Sequence, residues 1–211
     1  MRLFSILIVL LSPQLVQAQV FKTWDIGTYV LSATPQVRQQ GGLYLHNSEQ
    51  LFVRDLTGKN ISYSPRQVSS FQIYQRQFVS TGGFQLKSGF GDTYVTQAFV
   101  EQLDSGQVIL LRYQSPGNGA ATRGYIGYDE AAQRIYLLRP ANTFAVTPIQ
   151  ASWSKNSRQF QEVLRPYLAT RPDLLHLLDA KKLEPAQLPA IIHALNNKLP
   201  YNTPAERAAR K

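Results

Sequence analysis

The 211-residue chain has no cysteine. That excludes disulfides, a thiol nucleophile and a zinc–thiolate site, and it excludes an anchor through a lipidated N-terminal cysteine. Histidine is scarce, with His46, His176 and His193 the only three. Acidic residues are also few: 13 Asp and Glu stand against 22 Lys and Arg, a formal charge of +9. Few carboxylates leave little from which to build a pair facing across a glycosidase cleft. No apolar run approaches the roughly 18 residues that cross a bilayer. Internal repeats and low-complexity tracts are missing as well.

What is present begins with an export pattern. Met1-Arg2 carries a positive charge, residues 3–11 are apolar apart from Ser5, and Ser12-Pro13 breaks the run. Val16-Gln17-Ala18 then puts a small residue at the expected cleavage point. Charged start, short apolar core and small-residue exit are the order of a secretory signal peptide. Residues 1–18 are therefore expected to be removed. Export without disulfides suits a bacterial envelope better than an animal secretory route, where small domains are commonly stapled. The expected address is periplasmic or extracellular, with no transmembrane span after cleavage.

Up to about Ala145 the chain reads as strands. Short β-branched and aromatic runs at 27–32, 43–46, 51–54 and 61–63 alternate with turns rich in Gly, Asn and Asp, the signal of a meander. Five strands within 24–75 suit a small barrel or a curled sheet. Hairpins are expected over 76–147. Residues 71–80 read as one strand, 84–86 as another, and 98–103 pairs with 107–113 across Asp104-Ser105-Gly106. A further hairpin is expected between 124–128 and 134–138.

After Pro148 the period changes to that of a helix. Phe160, Val163, Leu164, Tyr167 and Leu168 share one helical face, Asn156 and Gln159 have capping-box spacing, and Pro166 is expected to kink or end the helix. Thr170 with Asp173 reads as the capped start of a second helix carrying Leu174, Leu175, Leu177 and Leu178. A third helix, starting between Pro185 and Gln187, carries Leu188, Ile191, Ile192, Leu195 and Leu199, and Asn196-Asn197 stop it. The fold class is therefore α+β: mostly antiparallel sheet, then a three-helix segment. The expected division is a β-rich part at 19–150, a helical segment at 151–200 and a basic, unstructured tail at 201–211.

Chemistry-bearing patterns are weak. There is no Gly-x-Ser-x-Gly elbow to give the histidines a nucleophile. Asp173, His176 and Asp179 fall three apart on the second helix, but capping and solvent exposure account for them without a metal. Residues 117–124 are glycine-rich without completing a dinucleotide fingerprint or a P-loop. Asp55, Asp92, Asp104, Asp129 and Glu130 all lie near turns, where Asp serves the backbone. Tyr44, Tyr63, Tyr74, Tyr113 and Arg76 are the kind of residues that stack on nucleic acid, yet export argues against such a ligand. Lys181-Lys182 and the tail bases Arg207, Arg210 and Lys211 are suited to anionic polymers. No catalytic, cofactor-binding or metal residue is assigned, and no cofactor is expected.

Residues 97–197 resemble a family of exported proteins found widely in Bacteroidota. The resemblance rests on the strand and hairpin at Phe99, Leu103, Gly106 and Leu111, on Phe160 and Leu164, on Asp173-Leu174-Leu175, on Leu188-Pro189-Ala190-Ile191-Ile192 and on Asn196-Asn197. Upstream, residues 61–71 are similar to the family's strand with a P-x-x-V-x-x-F segment. These are packing residues. The resemblance implies export and the sheet-then-helices order, and with no activity assigned to that family it carries over no functional residue. The expected function is a non-catalytic binding or assembly module of the envelope, its partner an envelope protein or an anionic polymer. An enzyme with a dispersed site and a charge-driven binder of anionic lipid or polysaccharide stand as alternatives.

Overall fold

The computed structural model describes residues 23–88, 91–114, 134–150 and 156–209. The export segment, the glycine-rich loop 117–124, Asp129 and Glu130 lie outside these residues. The first part is sheet and the last is helix, so the α+β order holds. β1 (Asp25–Leu31), β2 (Arg38–Asn47), β3 (Gln50–Arg54) and β4 (Asn60–Tyr63) form the expected meander. β5 (Val68–Ile73) returns to pair with β1.

Residues 71–80 are not one strand. β5 turns at Tyr74-Gln75 into β6 (Arg76–Thr81), with Ile73 opposite Arg76. Tyr74 has a φ of 52°, a left-handed conformation that a tyrosine seldom adopts. No Gly or Asn marked the turn, which is why the sequence pattern passed over it. The Tyr74 hydroxyl holds the turn to β1 by donating to Asp25 at 2.5 Å.

β7 (Phe84–Ser88) and β8 (Gly91–Val95) form a separate hairpin. β9 (Ala98–Asp104) then pairs with β6 and with β10 (Val108–Gln114). β11 (Arg134–Pro140) lies between β10 and β12 (Thr147–Gln150). Both edges of the ladder at Ile135–Leu138 are thus taken; the first strand of the hairpin expected between 124–128 and 134–138 lies outside the described residues. The sheet has ten antiparallel strands in the order β12-β11-β10-β9-β6-β5-β1-β2-β3-β4.

No barrel closes over 24–75: β4 ends the sheet, paired with β3. The sheet curls instead. Leu43, Leu51, Val53, Val68, Phe71 and Ile73 pack in one cluster with Tyr29, Phe78 and Phe99. The first four and Ile73 are fully buried although no helix joins this cluster. Strands spaced about 4.8 Å apart bury such a face without a cover only by bending over it. The β2–β3 turn completes the curl, because the Ser48 carbonyl accepts a hydrogen bond from the Phe99 amide at 2.7 Å.

The helices cover the same face at the other end of the sheet. α1 (Arg158–Leu164) passes into a 3-10 turn (Arg165–Leu168) at Pro166, as a ring without an amide hydrogen requires. α2 (Pro172–Asp179) and α3 (Leu188–Asn196) follow. Their Leu174, Leu178, Leu188, Ile191 and Ile192 share a core with Val108, Leu110, Leu138 and Ile149 of the strands. The helical segment is therefore a layer on the sheet. The opposite face of β9–β11 is covered by the β7–β8 hairpin through Phe84, Leu86 and Val95.

Some local expectations shift. The α1 cap is Ser157, whose hydroxyl accepts from the Phe160 amide at 3.4 Å, one residue after Asn156. Arg171, not Thr170, holds the α2 cap position, and its guanidinium takes Asp173. α3 starts after Gln187, with Pro189 tolerated in its first turn. Leu199 lies past its end and is 45% exposed. The tail is not without structure: α4 (Pro204–Ala209) is started by a reciprocal cap. The Thr203 amide donates to Glu206 at 2.9 Å, and the Glu206 amide to the Thr203 hydroxyl at 3.3 Å.

Candidate functional site

The tyrosine and arginine set of the sequence reading is dispersed. Tyr63 packs inside the curl, 6.0 Å from the Tyr29 ring. Tyr113 is buried on the opposite face against Phe84. Tyr74 holds its turn, and Arg76 is committed to Glu101. Of the five, Tyr44 alone lies on the outer face of β1–β4.

The metal-spaced trio is also separated chemically. Arg171 grips Asp173 through two hydrogen bonds of 2.8 and 2.7 Å, which hold that carboxyl below the usual range. Arg165 pairs with Asp179. His176 is exposed. Among the described residues no group of three or more His, Asp or Glu is placed to hold a metal. Asp55 accepts from the Thr57 hydroxyl at 2.6 Å and from the Lys59 and Thr57 amides, which lowers its pKa and leaves it a turn residue. Lys181 and Lys182 are exposed just beyond α2, where Lys181 takes a left-handed φ of 56°.

Two polar groupings were not legible in sequence. Glu101, 8% exposed, lies between Arg76 and Arg112. Arg76 donates to both its oxygens at 2.8 and 3.0 Å, and Arg112 donates from Nε at 3.1 Å. Burial pushes this carboxyl up, but the two guanidinium partners outweigh it and hold the pKa below the ordinary value. Along β9 the residues facing this side are Phe99, Glu101 and Leu103, so the triad fills the seam between the curl and the helix-covered core. The second grouping joins Asp104 to His193 at 2.9 Å and to the Asn196 amide at 2.8 Å. Asn196 also receives the Val108 amide at 3.0 Å and donates to the Val108 carbonyl at 2.8 Å. A Cβ at Gly106 would stand 2.6 Å from Asn196. This grouping docks α3 onto the β9–β10 hairpin.

Among the described residues, neither the helices nor the β7–β8 hairpin covers the outer side of β1–β5 and the adjoining start of β6. Strand alternation and register place Ile26, Thr28, Arg38, Gln40, Tyr44, Gln50, Phe52, Arg54, Ser62, Gln72 and Gln77 there. Tyr44 stands opposite Phe52, with ring centroids 6.1 Å apart and planes within 25°. His46 adjoins both, at 6.2 and 5.9 Å. Arg54 lies 4.7 Å over the Trp24 ring. Gly42 gives Trp24 its seat, since a Cβ there would come within 3.3 Å of the Trp24 Cβ. Ile26 is 74% exposed. A shallow polar depression continues the face between Thr28, Arg38, Ser70, Gln72 and Gln77.

None of the described strand positions on this outer side of β1–β6 is a carboxylate. A cross-strand aromatic pair contributes to the sheet, by about 0.2–1 kcal/mol. That purpose accounts for Tyr44 against Phe52, and not for the neighbouring Trp24–Arg54 stack beside an exposed isoleucine. The rings, amides and guanidinium groups together offer π-faces, paired donors and acceptors and fixed positive charge. No protein-family model, curated protein or solved structure matches the chain.

Proposed function

We propose that this chain is an exported, non-catalytic binding or assembly module of a bacterial envelope that works through the outer face of its curled sheet. One observation carries the reading: side chains suited to recognition gather on a face whose described strand positions include no carboxylate, while the other ion pairs and polar clusters described above are engaged in holding the fold together. Glu101 stabilises a seam, Asn196 and Asp104 dock a helix, and Asp173 is taken by an arginine. Arg54 donates to Asn60 at 3.1 Å within the face, and with Tyr44, Phe52 and Trp24 it sits where a partner can lie across them.

The test uses residues 19–211 and the variant Tyr44→Ala/Phe52→Ala/Arg54→Gln, checked for fold by circular dichroism. The parent chain is expected to sediment with washed envelope material and the variant to remain in solution. Equal sedimentation of the two, or of neither, would overturn the reading. So would turnover of an envelope component by the parent chain that one polar substitution abolishes.

A further inference from the structure

We infer that the outer face takes an acidic polysaccharide, laid across β1–β3. The inference rests on the binding-face reading above and adds the chemistry of the ligand.

A sugar ring presents an apolar C–H face and a rim of hydroxyls. The first lies well on an aromatic ring, and the second needs groups that both donate and accept. The face supplies both. Tyr44 and Phe52 lie side by side with planes 25° apart, and His46 extends them along β2. Gln40, Gln50 and Gln72 flank the rings and the depression; Gln50 and Gln72 each donate one amide hydrogen, to Ser62 and to the Tyr74 carbonyl, and keep a second hydrogen and the amide oxygen.

Charge selects the acidic kind. Arg38 and Arg54 are exposed, and Arg54 stands opposite Gly42, four residues along β2 from Arg38. At a rise of about 3.3 Å per residue, the two guanidinium positions are roughly 13 Å apart along the strand. That separation suits two acidic groups on one extended polymer, not a single small anion. A guanidinium fork matches a carboxylate or sulfate in two hydrogen bonds. No described strand position of the face is a carboxylate; Glu49 and Asp55 stand in the turns at either end of β3, so repulsion of such a chain is confined to the rim.

Lipid and nucleic-acid surfaces fit less well. Both are held by dense base, and the described strand positions of this face include two arginines and no lysine. Attraction of that size steers a ligand and leaves most of the affinity to stacking and amide contacts.

Affinity gel electrophoresis of residues 19–211 tests the inference with polygalacturonate, alginate and heparin in the gel. Neutral dextran, a single-stranded oligonucleotide and phosphatidylglycerol vesicles form the comparison arms. Retardation is expected on at least one acidic polysaccharide and not on dextran. Tyr44→Ala/Phe52→Ala and, separately, Arg54→Gln should each weaken it by about tenfold, the effect of losing an interface hot spot. Absence of retardation on all three acidic polymers would overturn the inference, as would retardation that neither variant changes. Tighter, variant-sensitive binding to the oligonucleotide or the vesicles would assign the face to that ligand and overturn it too. If envelope sedimentation still depends on the face while no polysaccharide binds, the polysaccharide fails and the binding face stands. If neither depends on the face, both fail.

Discussion

Glu101 shows what a single side chain decides here. It lies on β9 with Arg76 and Arg112 on the flanking strands, at the seam between two apolar clusters. Removing one partner of a buried ion pair leaves the others uncompensated. Glu101→Gln is expected to cost about 3 kcal/mol, near the lower end for such pairs, because the arginines keep some solvent contact. Urea unfolding at pH 7 measures it. Since the folded-state pKa of Glu101 is lowered, its stabilisation is present above the unfolded carboxyl value of about 4.3. It is lost as pH falls below that value toward the folded pKa. The parent chain should therefore lose more stability than Glu101→Gln between pH 6 and pH 3; parallel loss in the two would contradict the assignment. Nothing in the sequence marked Glu101 as buried, because its partners are 25 and 11 positions away.

At the scale of elements, the join between helices and sheet depends on polar recognition as well as on leucine. Asn196 at the end of α3 pairs with both the amide and the carbonyl of Val108, as a neighbouring strand would. Gly106 makes room for it. Asn196→Ala should orphan two buried backbone groups and cost about 2–3 kcal/mol, a fall of about 5–10 °C in Tm for a chain of this size. Asn197→Ala, on the exposed side, should change Tm far less. A calorimetric scan of both variants decides it; equal effects would mean that Asn196 is a cap and not a dock. The sequence placed Asn196 and Asn197 as the stop of this helix, and they are. That Asn196 also reaches Val108 depends on a separation of 88 residues, beyond any local pattern.

At the scale of the molecule, the outer side of β1–β5 is the face given to the proposed ligand, and the proposed export sets where that ligand would be met. When the full chain is produced in a double-membrane bacterium, periplasmic material is expected to begin at Gln19. N-terminal sequencing checks this, and a mature chain beginning at Met1 would remove the envelope reading.

The sequence by itself determined the order of sheet and helix, the meander, the break at Pro166, the start of the third helix near Gln187 and the absence of thiol chemistry. Those properties are local: they follow from side-chain period, turn residues and ring geometry within a few positions. The tertiary structure alone decided that the sheet curls without closing, that Arg134–Pro140 pairs with β10 and β12, and that Glu101 and Asn196 are committed to the fold. It also decided that Tyr44, Phe52, Trp24 and Arg54 meet on one side. Strand order and register bring distant segments to within about 5 Å of each other, and a period of two states which residues share a face without stating which face is covered.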